Sequence, residues 1–194
     1  MKNLILILLI GFFSCKPDTK KNISYTAQNN IKIIKSDTIK FTNGFDFPVG
    51  KPDAKKYYNA QKFGENEHLG DDWNGVGGGN TDLGDPIYSI ANGYVSNAEN
   101  VYGGWGNVIR IVHYIDNENQ IESLYAHCDE IIIKKGDYIE KGQKIGTIGN
   151  NNGQYLAHLH LELRSQIGLP IGGGYSFDTE GYLDPTEYIK NHRN

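Results

Sequence analysis

His158-Leu159-His160-Leu161-Glu162-Leu163-Arg164 alternates polar and apolar residues without a break. A period of two is the pattern of a β-strand that buries one face. It sends Leu159, Leu161 and Leu163 to one side, into a core, and His158, His160, Glu162 and Arg164 to the other. Outward from this strand the same signal recurs. Asn107 to Ile115 is rich in β-branched residues, Asp116 to Asn119 reads as a polar turn, and Gln120 to His127 returns as a second strand. Asn92-Gly93, between Tyr88–Ala91 and Tyr94-Val95, predicts a tight hairpin. Ile131 to Ile133, Ile139 and Ile145 continue the apolar pattern between glycine turns. Helical periodicity is weak throughout, and short helices are expected only around Asp53–Gln61 and Pro185–Lys190. The 24 glycines and 13 tyrosines fit turn-rich β-structure. The expected fold is all-β: an antiparallel, sandwich-like sheet domain with few short helices.

With 194 residues, the chain is long enough to bury a core without disulfide staples. Two cysteines, Cys15 and Cys128, exclude a disulfide scaffold. A net charge of -4 argues against a nucleic-acid partner that needs its phosphates neutralised. Lys2 precedes the apolar run Leu4 to Phe13, which is about half the length of a membrane-spanning helix. This layout reads as a secretory signal. Ser14-Cys15 at its end resembles a bacterial lipoprotein cleavage site, although Phe12 stands where an aliphatic residue is usual. An ordinary signal peptide with an incidental Cys is the alternative. Residues 1–15 are thus read as signal peptide with a lipoprotein-type Cys15, 16–45 as a polar linker or extension, and 46–194 as the globular domain. The expected location is the cell envelope, with a lipid on Cys15 holding the chain to a membrane.

The chemistry lies in the histidines. His158 and His160 share a strand face, where two protonated imidazoles would repel and a metal would require neutral rings. His68-Leu69-Gly70-Asp71-Asp72 places a carboxylate four residues after an imidazole, and Tyr125-Ala126-His127 closes a strand. Two histidines and a carboxylate with one position open form the ligand set of a hydrolytic zinc site. Each motif alone has a plain reading as an exposed strand face or a loop hydrogen bond; together they carry weight. Asp71 competes with Asp72 as the acid. Glu162 could orient an imidazole or pair with Arg164 on the surface. Trp73, Tyr102, Trp105, Tyr155 and Tyr175 are candidates to line a peptide groove or to anchor loops. Cys128 reads as a small buried residue and His113 as structural.

Taken in order, these motifs resemble the lysostaphin-type zinc endopeptidases of the M23 family, over about residues 65–190. The matching elements are His68-x-Gly70-x-Asp72, Gly84-Asp85-Pro86, Tyr125-Ala126-His127, the turns at Lys135-Gly136-Asp137 and Lys141 to Gly146, His158-Leu159-His160 and Leu183-Asp184-Pro185. The resemblance implies a peptidoglycan-cutting peptidase that uses Zn²⁺. His68, Asp72 and His160 would be its metal ligands, and His127 and His158 the non-ligand histidines that move protons and stabilise the oxyanion. It implies a peptide of the peptidoglycan as substrate. A non-catalytic envelope module, binding wall peptide or regulating another hydrolase, is the second reading. Between Asp72 and Gly84 the chain departs from the family pattern with a longer, glycine-rich stretch.

Overall fold

The computed structural model describes residues 39–194. The signal-like segment, Cys15 and most of the linker lie outside the described residues. Ten strands form one hydrogen-bonded sheet: β1 (Tyr57–Gln61), β2 (Asp71–Gly75), β3 (Pro86–Tyr88), β4 (Gly93–Asn100), β5 (Asn107–Tyr114), β6 (Gln120–Ile131), β7 (Tyr138–Ile139), β8 (Lys144–Ile148), β9 (Leu159–Arg164) and β10 (Tyr182–Leu183). The helix α1 (Pro185–Asn191) closes the chain. The main path runs β1-β2-β9-β6-β5-β4-β7; β10 joins β9, and β3 pairs with β8, which in turn joins β6. All these pairings are antiparallel. The all-β expectation therefore holds, and the alternating strand at Leu159–Arg164 lies inside the sheet, between β2 and β6.

Register sorts the residues into faces. Opposite Leu161 stand Asp71 on β2 and Tyr125 on β6; opposite His160 stand Asp72 and Ala126. Partners opposite one another share a face. One face of β9 thus joins Leu159, Leu161 and Leu163 to Tyr125, Ile109, Ile111 and Ile148 in the main core. Each leucine, fully buried, contributes about 2 kcal/mol by removal from water. Phe45, Phe47 and Val49 pack into the same core, together with Ile189 of α1. The packed body thus takes in Phe45, at the end of the stretch read as linker. Its ring meets His113, Tyr188 and His192 edge-on.

Two local expectations are corrected. Residues 57–61 are strand rather than helix; only an irregular turn at Gly50–Ala54 precedes them. Tyr57 and Asn59 pair across to Gly75 and Trp73, so strand pairing settles the conformation of this segment. Asn92-Gly93 makes no hairpin, because β3 pairs with β8 and β4 with β5 and β7. The Asn92 side chain instead accepts the Lys141 N–H and donates to the Phe41 carbonyl. Gly93 is required for close approach, since a Cβ there would sit 2.6 Å from the Val112 carbonyl oxygen.

Candidate metal centre

The second face of β9 carries the site. Register sets Asp72 of β2 directly beside His160, while Asp71 turns to the core face. Asp71 is buried there and accepts hydrogen bonds from the Thr186 hydroxyl and the Phe63 N–H. That separates the two adjacent acids, and Asp72 is the one at the site. His68 arrives from the short turn before β2, tied to the loop carrying Tyr175 by a bridge. The chain can come this close to β9 only because residue 70 is glycine. A Cβ there would lie 2.4 Å from the Leu161 carbonyl oxygen and 3.0 Å from the His160 ring.

Three donor atoms converge. His68 Nε2 lies 3.0 Å from His160 Nδ1 and 3.4 Å from Asp72 Oδ1, and His160 Nδ1 lies 2.9 Å from Asp72 Oδ1. Atoms bound tetrahedrally at zinc-like distances stand about 3.3 Å apart, so the spacing fits one small divalent ion. The electrostatics fit as well. Burial alone would raise the Asp72 carboxyl, but hydrogen bonds from His160 and His68 outweigh it and hold the group well below the usual carboxylate range. Burial would lower His160; its bonds to Asp72 and Glu162 instead push it up to about 9. One proton on His160 Nδ1 cannot point at both Asp72 and His68, whereas a cation would engage all three atoms at once. Glu162 Oε1 lies 3.2 Å from His160 Nε2. That contact assigns a hydrogen to Nε2 and leaves Nδ1 to face the cluster. The Glu162–Arg164 pair is fully buried, not on the surface.

His127 reaches the site through a break in strand periodicity. By alternation it would follow Tyr125 into the core. Two steps on β5, Asn107 to Ile109, oppose three on β6, Cys128 back to Tyr125, which is a β-bulge. Within it His127 adopts a left-handed backbone, φ 59°. The extra residue returns Cys128 to the core and leaves His127 on the site face. Such a conformation costs a non-glycine residue about 1–2 kcal/mol. The His127 ring lies 4.7 Å from that of His158 and 5.0 Å from that of Tyr155. Burial, and then its proximity to His158 and His160, lowers its pKa to about 3, so it is neutral. The buried Cys128 thiol is pushed up to about 12 by burial and faces away from the site.

His158 is oriented by its backbone neighbours. Its Nδ1 lies 2.8 Å from the Leu156 carbonyl oxygen, which places the proton there and leaves Nε2 free, 3.9 Å from Asp72 Oδ1. The preceding Ala157 peptide is clamped on both sides: Asn80 Oδ1 accepts its N–H at 2.8 Å, and Asn74 Nδ2 donates to its carbonyl at 3.0 Å. Asn80 lies in the glycine-rich stretch that departs from the family pattern. Neither asparagine carried a sequence signal, because the contact spans about 80 residues.

His68, Asp72, His127, His158 and His160 all line one cavity of about 440 Å³. Of the candidate groove aromatics, Trp105, Tyr155 and Tyr175 line it too. Trp73 instead lies in the core against Phe47, because it pairs with Leu159 on the core face. Tyr102 is exposed beside a different cleft.

The sequence profile of Peptidase family M23 matches residues 72–172. The lipoprotein NlpD of Yersinia enterocolitica is 40% identical over 81 residues, covering 42% of this chain and 78% of that protein. The murein hydrolase activator NlpD of Escherichia coli (strain K12) is 37% identical over 81 residues, 42% of this chain and 20% of that protein. The peptidoglycan DD-endopeptidase ShyA of Vibrio cholerae is 35% identical over 81 residues, 42% of this chain and 18% of that protein. The chain thus matches only about a fifth of the length of the last two. Among solved structures, lysostaphin from Staphylococcus simulans is similar at a TM-score of 0.50 and 25% identity, over 69% of this chain and 48% of that one. A zinc-containing peptidase from Vibrio cholerae is similar at 0.50 and 26%, over 63% and 37%.

Proposed function

The chain belongs to peptidase family M23, and from that membership we propose that it is a zinc-dependent endopeptidase acting on peptide cross-links or stem peptides of peptidoglycan. The observation that carries the reading is the convergence of His68 Nε2, Asp72 Oδ1 and His160 Nδ1 in a cavity that His127 and His158 also line. His68, Asp72 and His160 would hold the metal. When bound, zinc supplies Lewis acidity, polarising a scissile carbonyl and acidifying water. His158 acts as the base: its proton sits on Nδ1 against the Leu156 carbonyl, so Nε2 takes the proton of the attacking water and returns it to the leaving amine. His127, neutral through burial, presents a ring N–H to the developing oxyanion. Trp105, Tyr155 and Tyr175 flank an extended peptide. Cys15 carries a lipid, and the chain works at the cell envelope; the relatives named as lipoproteins support this placement.

A second reading draws on the similarity to a murein hydrolase activator. In it the same cavity binds wall peptide or helps to regulate another hydrolase without cutting. Identity over 81 residues does not separate the two, since an activator and an endopeptidase score 37% and 35%. The complete set of five residues favours the enzyme.

The test is zinc content of the purified chain together with release of peptides from isolated peptidoglycan, with His160→Ala as control. Stoichiometric zinc and cleavage products that the control lacks are expected, and their masses name the bond. Zinc without cleavage favours the regulatory reading. Absence of both zinc and cleavage overturns the enzyme reading.

A further inference from the structure

Behind the site lies a buried ionic chain. Glu162 and Arg164 follow His160 on the same face of β9 and are 0% exposed. The Glu162 carboxylate is divided: Oε1 meets His160 Nε2 at 3.2 Å, while Oε2 accepts from Arg164 Nε at 2.7 Å. The guanidinium spends its remaining donors on three successive loop carbonyls: Leu169 at 3.1 Å, Pro170 at 3.3 Å and Ile171 at 3.2 Å. A second arginine, Arg110, donates to the same Leu169 oxygen at 2.8 Å and is paired with Glu122.

The loop so held continues as Gly172-Gly173-Gly174-Tyr175, and the last three of these residues line the cavity. Three glycines have little conformational preference of their own. The loop is positioned from outside, by the arginines, by Trp105 Nε1 donating to the Gly172 carbonyl, and by the Leu69 N–H donating to the Gly174 carbonyl. The two histidines of the cluster differ in their support. His160 is anchored from behind, whereas His68 Nδ1 is buried without a hydrogen-bond partner among the described residues. The orientation of the cluster therefore depends strongly on the Glu162 carboxylate. A buried ion pair contributes little net stability, so stability alone does not account for this one.

We propose that Arg164 is a positioning residue that sets two things at once: through Glu162 the orientation of His160, and through three carbonyls the glycine wall of the substrate cavity. Metal affinity and groove shape are thereby coupled in one buried unit. The metal half of this inference rests on the site reading given above. The wall half rests on the loop contacts alone.

The test uses the full chain with Zn²⁺ in competition with a chromophoric chelator, and hydrogen exchange of residues 166–175. Glu162→Gln is expected to weaken zinc binding by about 10–100-fold, the usual effect of losing such a partner, and to leave exchange of the loop close to wild type. Arg164→Lys keeps the charge but not the planar fork. It should weaken zinc and also speed exchange across 166–175. Arg110→Lys, which does not touch Glu162, should speed loop exchange modestly without changing zinc affinity. Should Arg164→Lys fail to fold, Glu162→Gln tests the metal half and Arg110→Lys the wall. Wild-type zinc affinity in Glu162→Gln, or wild-type loop exchange in the arginine variants, overturns the proposal. A wild type that binds no zinc sinks the metal reading and the metal half with it, while exchange in Arg164→Lys still decides the wall.

Discussion

The two faces of β9 are buried alike and built on opposite principles. Leu159, Leu161 and Leu163 join a core of aliphatic and aromatic side chains, where the gain scales with area removed from water. His160, Glu162 and Arg164 are also buried, yet they are held chiefly by directed hydrogen bonds and ion pairs, with ring contacts from Trp105 on His160 and from Tyr182 on Arg164. Buried charge of this kind seldom adds net stability. The comparison teaches that one strand can divide its labour by residue parity, stability on odd numbers and chemistry on even ones. It also implies that the two can be damaged separately.

The largest expected effect is on the site face. His158→Gln removes the proposed base and should cut turnover by about 10²–10⁴-fold, with the unfolding midpoint barely moved. A parallel loss of stability would break the separation of faces. On the core face, Leu161→Ala should cost about 2–5 kcal/mol, transfer energy plus cavity, measured by denaturant unfolding. Zinc affinity of the folded fraction should stay at wild type.

His113 sharpens the contrast, because it is a polar group set among core residues. Its Nδ1 meets the Asn92 carbonyl at 2.9 Å and its Nε2 the Ser123 hydroxyl at 2.7 Å. Burial depresses its pKa to about 4, below the ordinary 6.5. The unfolded chain therefore takes up a proton first as pH falls. The contribution is full above about pH 6.5 and is lost as pH falls towards 4, amounting to about 3 kcal/mol at most. Unfolding free energies of wild type and His113→Gln across that window should converge on acidification; parallel curves would show that His113 is not the cause.

The smallest effect is expected at Asn80. Asn80→Ala frees the Ala157 N–H and should cost about 1 kcal/mol of stability, with a modest drop in turnover through a looser His158. Asn80→Asp keeps the acceptor oxygen and should restore turnover. If both variants match wild type in turnover, the clamp has no part in positioning His158.

Much of this was legible in the residues themselves, and the misses have identifiable causes. The alternation at Leu159–Leu163 announced a half-polar strand because side-chain direction in a strand depends only on residue parity. The turn at Asp116–Asn119 was equally local, its Asp116 carboxylate accepting from the Glu118 and Asn119 N–H groups. Asn92-Gly93 misled because an Asn-Gly pair signals a turn but not which strands flank it. The short helix expected around Asp53–Gln61 did not form because pairing with β2 settles residues 57–61 as strand.

The strand pattern, the glycine at position 70 and the inventory of histidines and acids are readable from the chain alone. These depend on local covalent geometry and on chemistry that each residue carries wherever it lies. Residue types and spacing left Asp71 and Asp72 open, and the family resemblance favoured Asp72; the register between strands is what turns Asp72 towards His160. The tertiary structure supplied the reason that the resemblance could only imply for His127: a bulge reverses what parity predicts and puts it on the site face. It alone joined Asn80 to Ala157 and Arg164 to the loop wall. Hydrogen bonds between distant segments form only once the sheet has brought them together, and no spacing along the chain encodes them.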